Sequence, residues 1–302
     1  MSEIVPILED ETGFDRLLLF TLPSRNVRGR LVRLGPVLEE ILAAHDYPIQ
    51  VKRLLAEALA LTALIGGLLK NQGSQLTIQA QAEGGAVALL VCDYREGALR
   101  GYAQFDAGKV DRLDSNPSLE AIFGKGHLAM TFDVAETGLR YQGIVPLEGA
   151  SLNAACEAYF ARSEQVPTLI RLGVDFDGRN CVAGGLLVQH LAEGEAGRER
   201  LHVRMDHPEW EHVAILAEST RHAELVDPGL SLEALVWRLF HEEREVRVEP
   251  GARLARGCRC SIEHYRAVLG RFPEQDLEDM RDQQGLITVD CAFCSRLFEV
   301  KI

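Results

Sequence analysis

Four of the seven cysteines crowd between residues 258 and 294 as two close pairs, Cys258-Arg-Cys260 and, thirty residues on, Cys291-Ala-Phe-Cys294. Two short pairs joined by a foldable insert is what a tetrahedral zinc site needs. Each tight turn supplies two thiolates, and the insert brings the turns together. Four soft sulfur donors suit zinc, with iron–sulfur ligation second, and do not suit magnesium or calcium. The expectation is one Zn2+ per chain on Cys258, Cys260, Cys291 and Cys294. A four-sulfur shell is coordinatively closed and leaves no position for a reactive water, so the metal is structural or regulatory.

The first pair bears on that choice. A single residue, Arg259, separates its sulfurs, whereas zinc ribbons ordinarily have two or more. Such a pair can close on itself as a strained disulfide, the labile kind. Zinc keeps thiols deprotonated, and thiolate is the form that oxidants attack. The metal also ties residue 258 to residue 294, and its binding energy, roughly 10–16 kcal/mol, is folding energy. Disulfides within the pairs would close only tiny loops, and neither would join one pair to the other. A module of 45 residues with so small a core should then unfold.

The elements that would position these sulfurs are legible around them. Helical segments at 262–269 and 275–281 lie between the pairs, and 286–290 and 296–300 flank the second pair as strand, knuckle, strand. Upstream, residues 193–250 carry fourteen Asp/Glu against seven Arg and no Lys, so the segment repels itself. It opens with a linker-like stretch, Glu193 to Arg200, yet contains amphipathic helices. One is expected over 212–225. Another starts at Ser231, an N-cap, and carries Leu232, Leu235, Val236, Leu239 and Phe240 at helical spacing. Such a segment folds only when docked on something else.

Residues 1–192 read as one mixed α/β domain. Helices are expected over 36–44 and 49–70, the second apolar almost all round and so buried. Strands are expected over 76–80, 86–94, 99–105, 128–134 and 139–145, a helix start at Asn116-Pro117, a helix over 152–162, and strands over 168–176 and 182–191. The expected class is therefore α+β: an N-terminal sheet domain (1–192), a metastable helical linker (193–257) and a small C-terminal four-cysteine zinc module (258–302).

Composition narrows the function. A net charge of −13 argues against a phosphate-binding surface, so no nucleic-acid partner is expected. The longest apolar run, Ala58 to Leu69, is too short for a bilayer that needs about 20 helical residues, and no secretory signal opens the chain. A cytoplasmic protein with no membrane partner is the default, and in a reducing compartment clustered cysteines signal metal or redox chemistry. Cys92, Cys156 and Cys181 are scattered and read as core. His202, His207, His212 and His222 fit no metal motif. No nucleophile elbow or metalloprotease helix appears, so no enzyme is expected.

The arrangement resembles the redox-regulated chaperone family called heat shock protein 33, whose hallmark is Cys-x-Cys, about thirty residues, then Cys-x-x-Cys near the C-terminus. Further family-like stretches are Asn26-Val-Arg-Gly29, His45-Asp-Tyr-Pro48, Tyr141-Gln-Gly-Ile-Val145 with Leu147-Glu-Gly149, Tyr159 to Gln165, Ala183-Gly-Gly-Leu-Leu187 and Trp237 to Glu243. The resemblance spans nearly the whole chain. It implies an ATP-independent holdase, inactive while reduced and zinc-bound. Oxidation would form the disulfides Cys258–Cys260 and Cys291–Cys294, release zinc, and unfold the module and linker. The active form, a homodimer, would hold unfolding client proteins for ATP-dependent foldases. The linker is long for the family pattern, and the tail ends soon after Val300.

The linker reading fits that mechanism. Release would expose Val213, Leu216, Leu232, Leu235, Trp237 and Phe240 together, the candidate client-binding residues, since exposed apolar surface binds unfolded chains without sequence preference. The plainer reading is that these residues only dock the segment. Two other functions compete. One is a zinc-ribbon nucleic-acid or translation factor, using Arg253, Arg256, Arg259, Arg266, Arg271, Arg281, Arg296 and Lys301. The other is a thiol oxidoreductase using Cys291-Ala-Phe-Cys294, although that motif opens no helix after a βαβ strand.

Overall fold

The computed structural model describes residues 13–114, 117–147, 151–178, 180–191 and 207–302. Chain order runs β1 (Arg16–Leu22), β2 (Val27–Leu34), α1 (Pro36–Leu42), α2 (Ile49–Gly66), β3 (Gln75–Gly84), β4 (Val87–Arg95) and β5 (Ala98–Phe105). Short helices α3 (Ala107–Val110) and α4 (Leu119–Phe123) lead into β6 (Gly124–Val134) and β7 (Leu139–Pro146). Helix α5 (Leu152–Tyr159) runs on through a wide turn, Phe160–Glu164, into the hairpin β8 (Thr168–Phe176) and β9 (Cys181–His190). Next come α6 (Pro208–Glu218), α7 (His222–Val226), α8 (Leu232–Phe240), β10 (Arg247–Arg253) and β11 (Ala255–Arg256). The chain closes with α9 (Ile262–Leu269), α10 (Glu274–Met280), β12 (Ile287–Asp290) and β13 (Leu297–Val300).

A helix apolar on every side must be buried on every side. Accordingly α2 packs between two sheets, ordered β10-β1-β2-β9-β8 and β11-β5-β4-β3-β6-β7. Its alanines (Ala56, Ala58, Ala60, Ala63) are all buried, as are Leu55, Leu59, Leu61 and Leu64, and this helix centres the main core. The helix stops at Gly66, short of the expected residue 70, where the Tyr94 ring fills the space a Cβ would need. Pairing is antiparallel throughout, except where β11 joins β5 in parallel. The α+β class expected from the sequence is the class observed.

The five-stranded sheet is covered on both faces. Leu17, Val32 and Leu34 point to the α2 core, whereas Leu18, Phe20, Leu22 and Leu31 point to a second core closed by α6, α7 and α8. Strands buried on both faces lose the apolar–polar alternation. That is why β1, Arg16-Leu-Leu-Leu-Phe-Thr-Leu22, shows no alternation in the sequence. Strand β10 was hidden too, because Glu249-Pro-Gly251 reads as a turn. Proline and glycine are tolerated there because β10 lies at the edge of its sheet, and its register with β1 shifts at this point.

Two expectations need correction. The helix expected over 212–225 is two helices, α6 and α7, broken at Ser219–Arg221. The Ser219 hydroxyl donates to the Leu216 carbonyl, satisfying a helix-end acceptor, and the Glu224 carboxylate accepts from the Arg221 amide (2.8 Å) to start α7 afresh. The helix expected at Asn116-Pro117 begins at Leu119, because Ser118 supplies the N-cap oxygen to the Ala121 amide. Asn116, the stretch Glu193–Arg200, His202, and Glu148 and Gly149 of the family-like stretches lie outside the described residues.

Three features hold α6–α8 down. Arg33, on the linker-facing side of β2, is wholly buried and donates to the carbonyls of Glu224 (3.1 Å), Leu225 (2.9 Å) and Leu230 (2.7 Å). Gly184 of β9 lets α7 approach: a Cβ there would lie 2.1 Å from the Leu225 carbonyl oxygen. At the far end Glu243, following α8, accepts from Arg25 (2.8 Å) and pairs with His212 (2.8 Å), while Arg25 also meets Glu209 of α6. These contacts lower the Glu243 carboxyl below its ordinary value. Burial alone would raise it, but the hydrogen bonds from Arg25 and His212 outweigh burial.

Candidate metal centre

Strand β11 delivers the chain to the first pair, and β12 delivers it to the second. Cys258 and Cys260 precede Ser261, whose side chain caps α9 by accepting from the His264 amide. Cys291 follows β12, its carbonyl accepting from the amides of Cys294 (3.1 Å) and Ser295 (2.7 Å). Ser295 takes the left-handed conformation (φ 57°), and the chain turns back as β13, with the Cys291 amide on the Arg296 carbonyl. This is the strand, knuckle, strand expected from the sequence. A core of Leu269, Leu277, Ile287, Phe298 and Val300 supports it, with Tyr265 packed 5.0 Å from the Phe298 ring.

The four sulfurs converge. Cys258 Sγ lies 3.4 Å from Cys260 Sγ and 3.5 Å from Cys291 Sγ, and Cys260 Sγ lies 3.5 Å from Cys294 Sγ. All four fall within 4.8 Å of one another. A tetrahedron of sulfurs around zinc with bonds near 2.3 Å has edges of roughly 3.8 Å. A disulfide would place two sulfurs about 2.05 Å apart. The spacing is that of a metal tetrahedron, and all seven cysteines are free thiols. The donor set fits a metal ion, and its four thiols are the residues that would hold it.

Their protonation is uneven. Burial pushes the Cys260 thiol up, and hydrogen bonding with the neighbouring sulfurs adds to the rise. Burial also pushes on Cys291, but hydrogen bonds from the Tyr265 hydroxyl, the Phe293 amide, the Cys258 thiol and the Cys294 amide outweigh it and bring Cys291 down to about 6. Four sulfurs this close cannot all ionise without a cation among them.

The module rests on the six-stranded sheet and on the end of α1. Ser295 Oγ donates to the Ala44 carbonyl (2.5 Å), and His45 Nε2 donates to the Ala292 carbonyl (2.7 Å). Arg259 donates to the buried Asp93 carboxylate (2.9 Å), and the Arg100 guanidinium sits 4.0 Å above the Phe293 ring. Sequence reading missed Asp93 and Arg100 altogether, since neither belongs to a motif. For Arg259 the signal was present, because it is the one residue between two of the clustered cysteines. His45 stood in a family-like stretch whose role only the fold reveals.

The remaining candidates fall elsewhere. Val213, Leu232, Leu235 and Phe240 are wholly buried in the second core, with Phe240 5.4 Å from the Phe20 ring, and Leu216 is partly buried beside them. Trp237 is 66% exposed on the opposite side of α8, its ring tilted at 45° to that of His241. Cys92, Cys156 and Cys181 are buried in the main core, where burial pushes their thiols up, Cys181 to about 11. His207 caps α6, His212 meets Glu243, and His222 meets the Val174 backbone. Among the described residues the four cysteines are the only metal-ligating cluster, and no helix is long and apolar enough to cross a membrane.

Two sheets wrapped on a buried helix, with a docked helical segment and a module whose four cysteines could hold a metal ion, define a class of α+β protein. Comparison with known proteins makes it specific. The chain belongs to the Hsp33 protein family, a family of chaperones, whose model matches residues 15–301. The 33 kDa chaperonin of Caulobacter vibrioides is 39% identical over 310 residues, covering 99% of this chain and 98% of that one. That of Shigella boydii is 34% identical over 282 residues, covering 93% and 90%. The crystal structure of the 33 kDa chaperonin of Thermotoga maritima superposes with a TM-score of 0.76 over 95% of both chains at 23% identity, so the fold is shared.

Proposed function

We propose that this chain is a redox-switched, ATP-independent holdase whose switch is the four-cysteine centre. One observation carries the reading: four sulfurs gathered from both ends of a small module stand at the end of a segment whose apolar face is buried against the sheet. Zinc, when bound, would keep all four sulfurs as thiolates and tie the two turns together. The proposed units are the sheet domain 1–192, the linker 193–257 and the redox module 258–302.

The switch follows from the chain's own chemistry. In each pair, two thiolates give up two electrons to a hypohalous acid such as HOCl, with uptake of one proton. One S–S bond, one chloride and one water result. Pairing Cys258 with Cys260 and Cys291 with Cys294 leaves no ligand for the metal and no covalent link between the turns. The module's core has too few residues to hold residues 258–302 folded without that tether. With the module gone, the chain that leaves α8 through β10 and β11 loses its anchor at Cys258, and Val213, Leu216, Leu232, Leu235 and Phe240 join Trp237 as a surface for unfolding proteins. Cytoplasmic location, a homodimeric active form and hand-over of clients to ATP-dependent foldases complete the proposal. No catalytic residue is part of it.

The nucleic-acid reading gains no specific observation, because Arg259, Arg281 and Arg296 are engaged within the chain, with Asp93, Glu274 and the Phe298 ring. The test is to treat zinc-loaded protein with hypochlorite and to measure zinc release and suppression of aggregation of a thermally unfolding client. RNA binding and disulfide reduction serve as controls. Zinc release with strong suppression is expected. Oxidised, zinc-free protein that leaves aggregation unchanged would refute the reading.

A further inference from the structure

Asp93 of β4 is a buried carboxylate, 3% exposed, that serves two arginines. It accepts from the Thr77 hydroxyl (2.6 Å), from Arg100 Nε (2.7 Å) and from Arg259 (2.9 Å). Arg259 is the residue between the ligands Cys258 and Cys260. Arg100 at the same time covers the ring of Phe293, the residue before the ligand Cys294, at 4.0 Å. One side-chain cluster on the sheet thus grips both turns of the sulfur site.

We infer that Asp93 and Arg100 form a receptor for the metal module, and that docking on it is coupled by charge to the state of the four sulfurs. Two guanidinium groups against one carboxylate leave the cluster with a net charge of +1. Four thiolates around a divalent ion carry −2. In the docked state the reduced, metal-loaded site therefore stands beside a cluster of opposite net charge, to which the module itself contributes Arg259. Two disulfides carry no charge, and in that state Arg100 and Arg259 repel each other over a single shared carboxylate. When the module departs, Arg259 enters water, while Asp93 keeps Arg100 and Thr77 as a satisfied one-to-one pair. The receptor survives release unchanged, so docking is reversible. Asp93 and Arg100 are positioning residues: they touch the turns that carry the ligands, not the metal.

The inference rests on the proposed metal and redox roles of the four cysteines, and its test separates docking from chaperone activity. Full-length, zinc-loaded, reduced protein is challenged with a chelator, with no oxidant and no client. Zinc loss is followed together with amide exchange in peptides covering residues 97–102 and 255–260. Asp93→Asn and Arg259→Gln are each expected to speed both about tenfold, the double variant no further, because each breaks the same buried ion pair. Raising salt from about 0.05 M to about 0.5 M should speed the wild type and leave the variants unmoved. Arg259→Gln alters a side chain of the module's surface turn, so it reports even if the sheet rejects the change at Asp93. After hypochlorite, wild-type protection of these peptides should fall to the level of the variants. Wild-type zinc loss and exchange in Arg259→Gln would overturn the receptor. Oxidised wild type that stays more protected than the variants would overturn the charge coupling. A negative client assay alongside the expected exchange pattern would remove the holdase reading and leave the receptor standing.

Discussion

Replacing Arg33 with methionine asks how firmly the sheet holds the linker. The guanidinium is wholly buried under α7 and satisfies three linker carbonyls, of Glu224, Leu225 and Leu230. Methionine keeps most of the side-chain volume and removes all three donors. Each hydrogen bond from a charged donor is worth about 1.5–3 kcal/mol. The sum overstates the loss, because burying the cation itself carries a desolvation cost that methionine does not. A net weakening of linker docking by about 2–4 kcal/mol is expected, which raises the open fraction of α7 and α8 roughly 30- to 1000-fold. Amide exchange of reduced, zinc-loaded protein measures this directly, in peptides covering residues 222–240, with the main-core helix α2 as the internal reference. Aggregation of a heat-unfolded client, added to the same reduced sample, shows whether an opened linker suffices for holding. Unchanged exchange over 222–240 would refute the idea that Arg33 latches the linker.

Gly184→Val should lift α7 from β9, since a Cβ there meets the Leu225 carbonyl at 2.1 Å. A loss of about 1–3 kcal/mol is expected, read as a lower thermal midpoint and faster exchange over 222–226. Glu243 is held below its ordinary 4.5, so its contribution is fully present above that pH and fades as pH falls through the lower folded value. Linker protection should therefore drop on acidification below about pH 4.5, and Glu243→Gln should flatten that drop. Chelation of the reduced protein, or Cys291→Ser, should abolish protection over 262–300 while α2 stays protected; a module that keeps its protection without metal would show that its core is sufficient alone.

The metal centre was the most legible part of the sequence because its determinants are local. Two tight turns, each carrying two sulfurs, declare themselves by spacing, and the strands flanking Cys291 and Cys294 alternate over short lengths. The buried helix α2 was legible for a similar reason, its apolar run being too long for a strand. The sheet it packs on was only half readable. Strands β8 and β9 carry glycine punctuation and were found, whereas β1 lies between two cores and shows no alternation. Strand β10 carries the proline and glycine that only an edge tolerates. The partners of the metal module were illegible, since Asp93 and Arg259 are 166 positions apart and only the fold brings them together. The linker stripe of Leu232, Leu235 and Phe240 was seen, but what it covers, and the arginine beneath α7, required the sheet.

Between α8 and the first ligand the chain acts as a seam. Residues 247–253 close the free side of one sheet against β1, and two residues later Ala255 and Arg256 close the free side of the other against β5. Cys258 follows at once. If slack develops at that cysteine, the two-residue pairing with β5 should give way first and the longer pairing with β1 next, like a zip run backward. Both sheets would then present bare backbone amides and carbonyls along one border, which are natural partners for any extended polypeptide nearby.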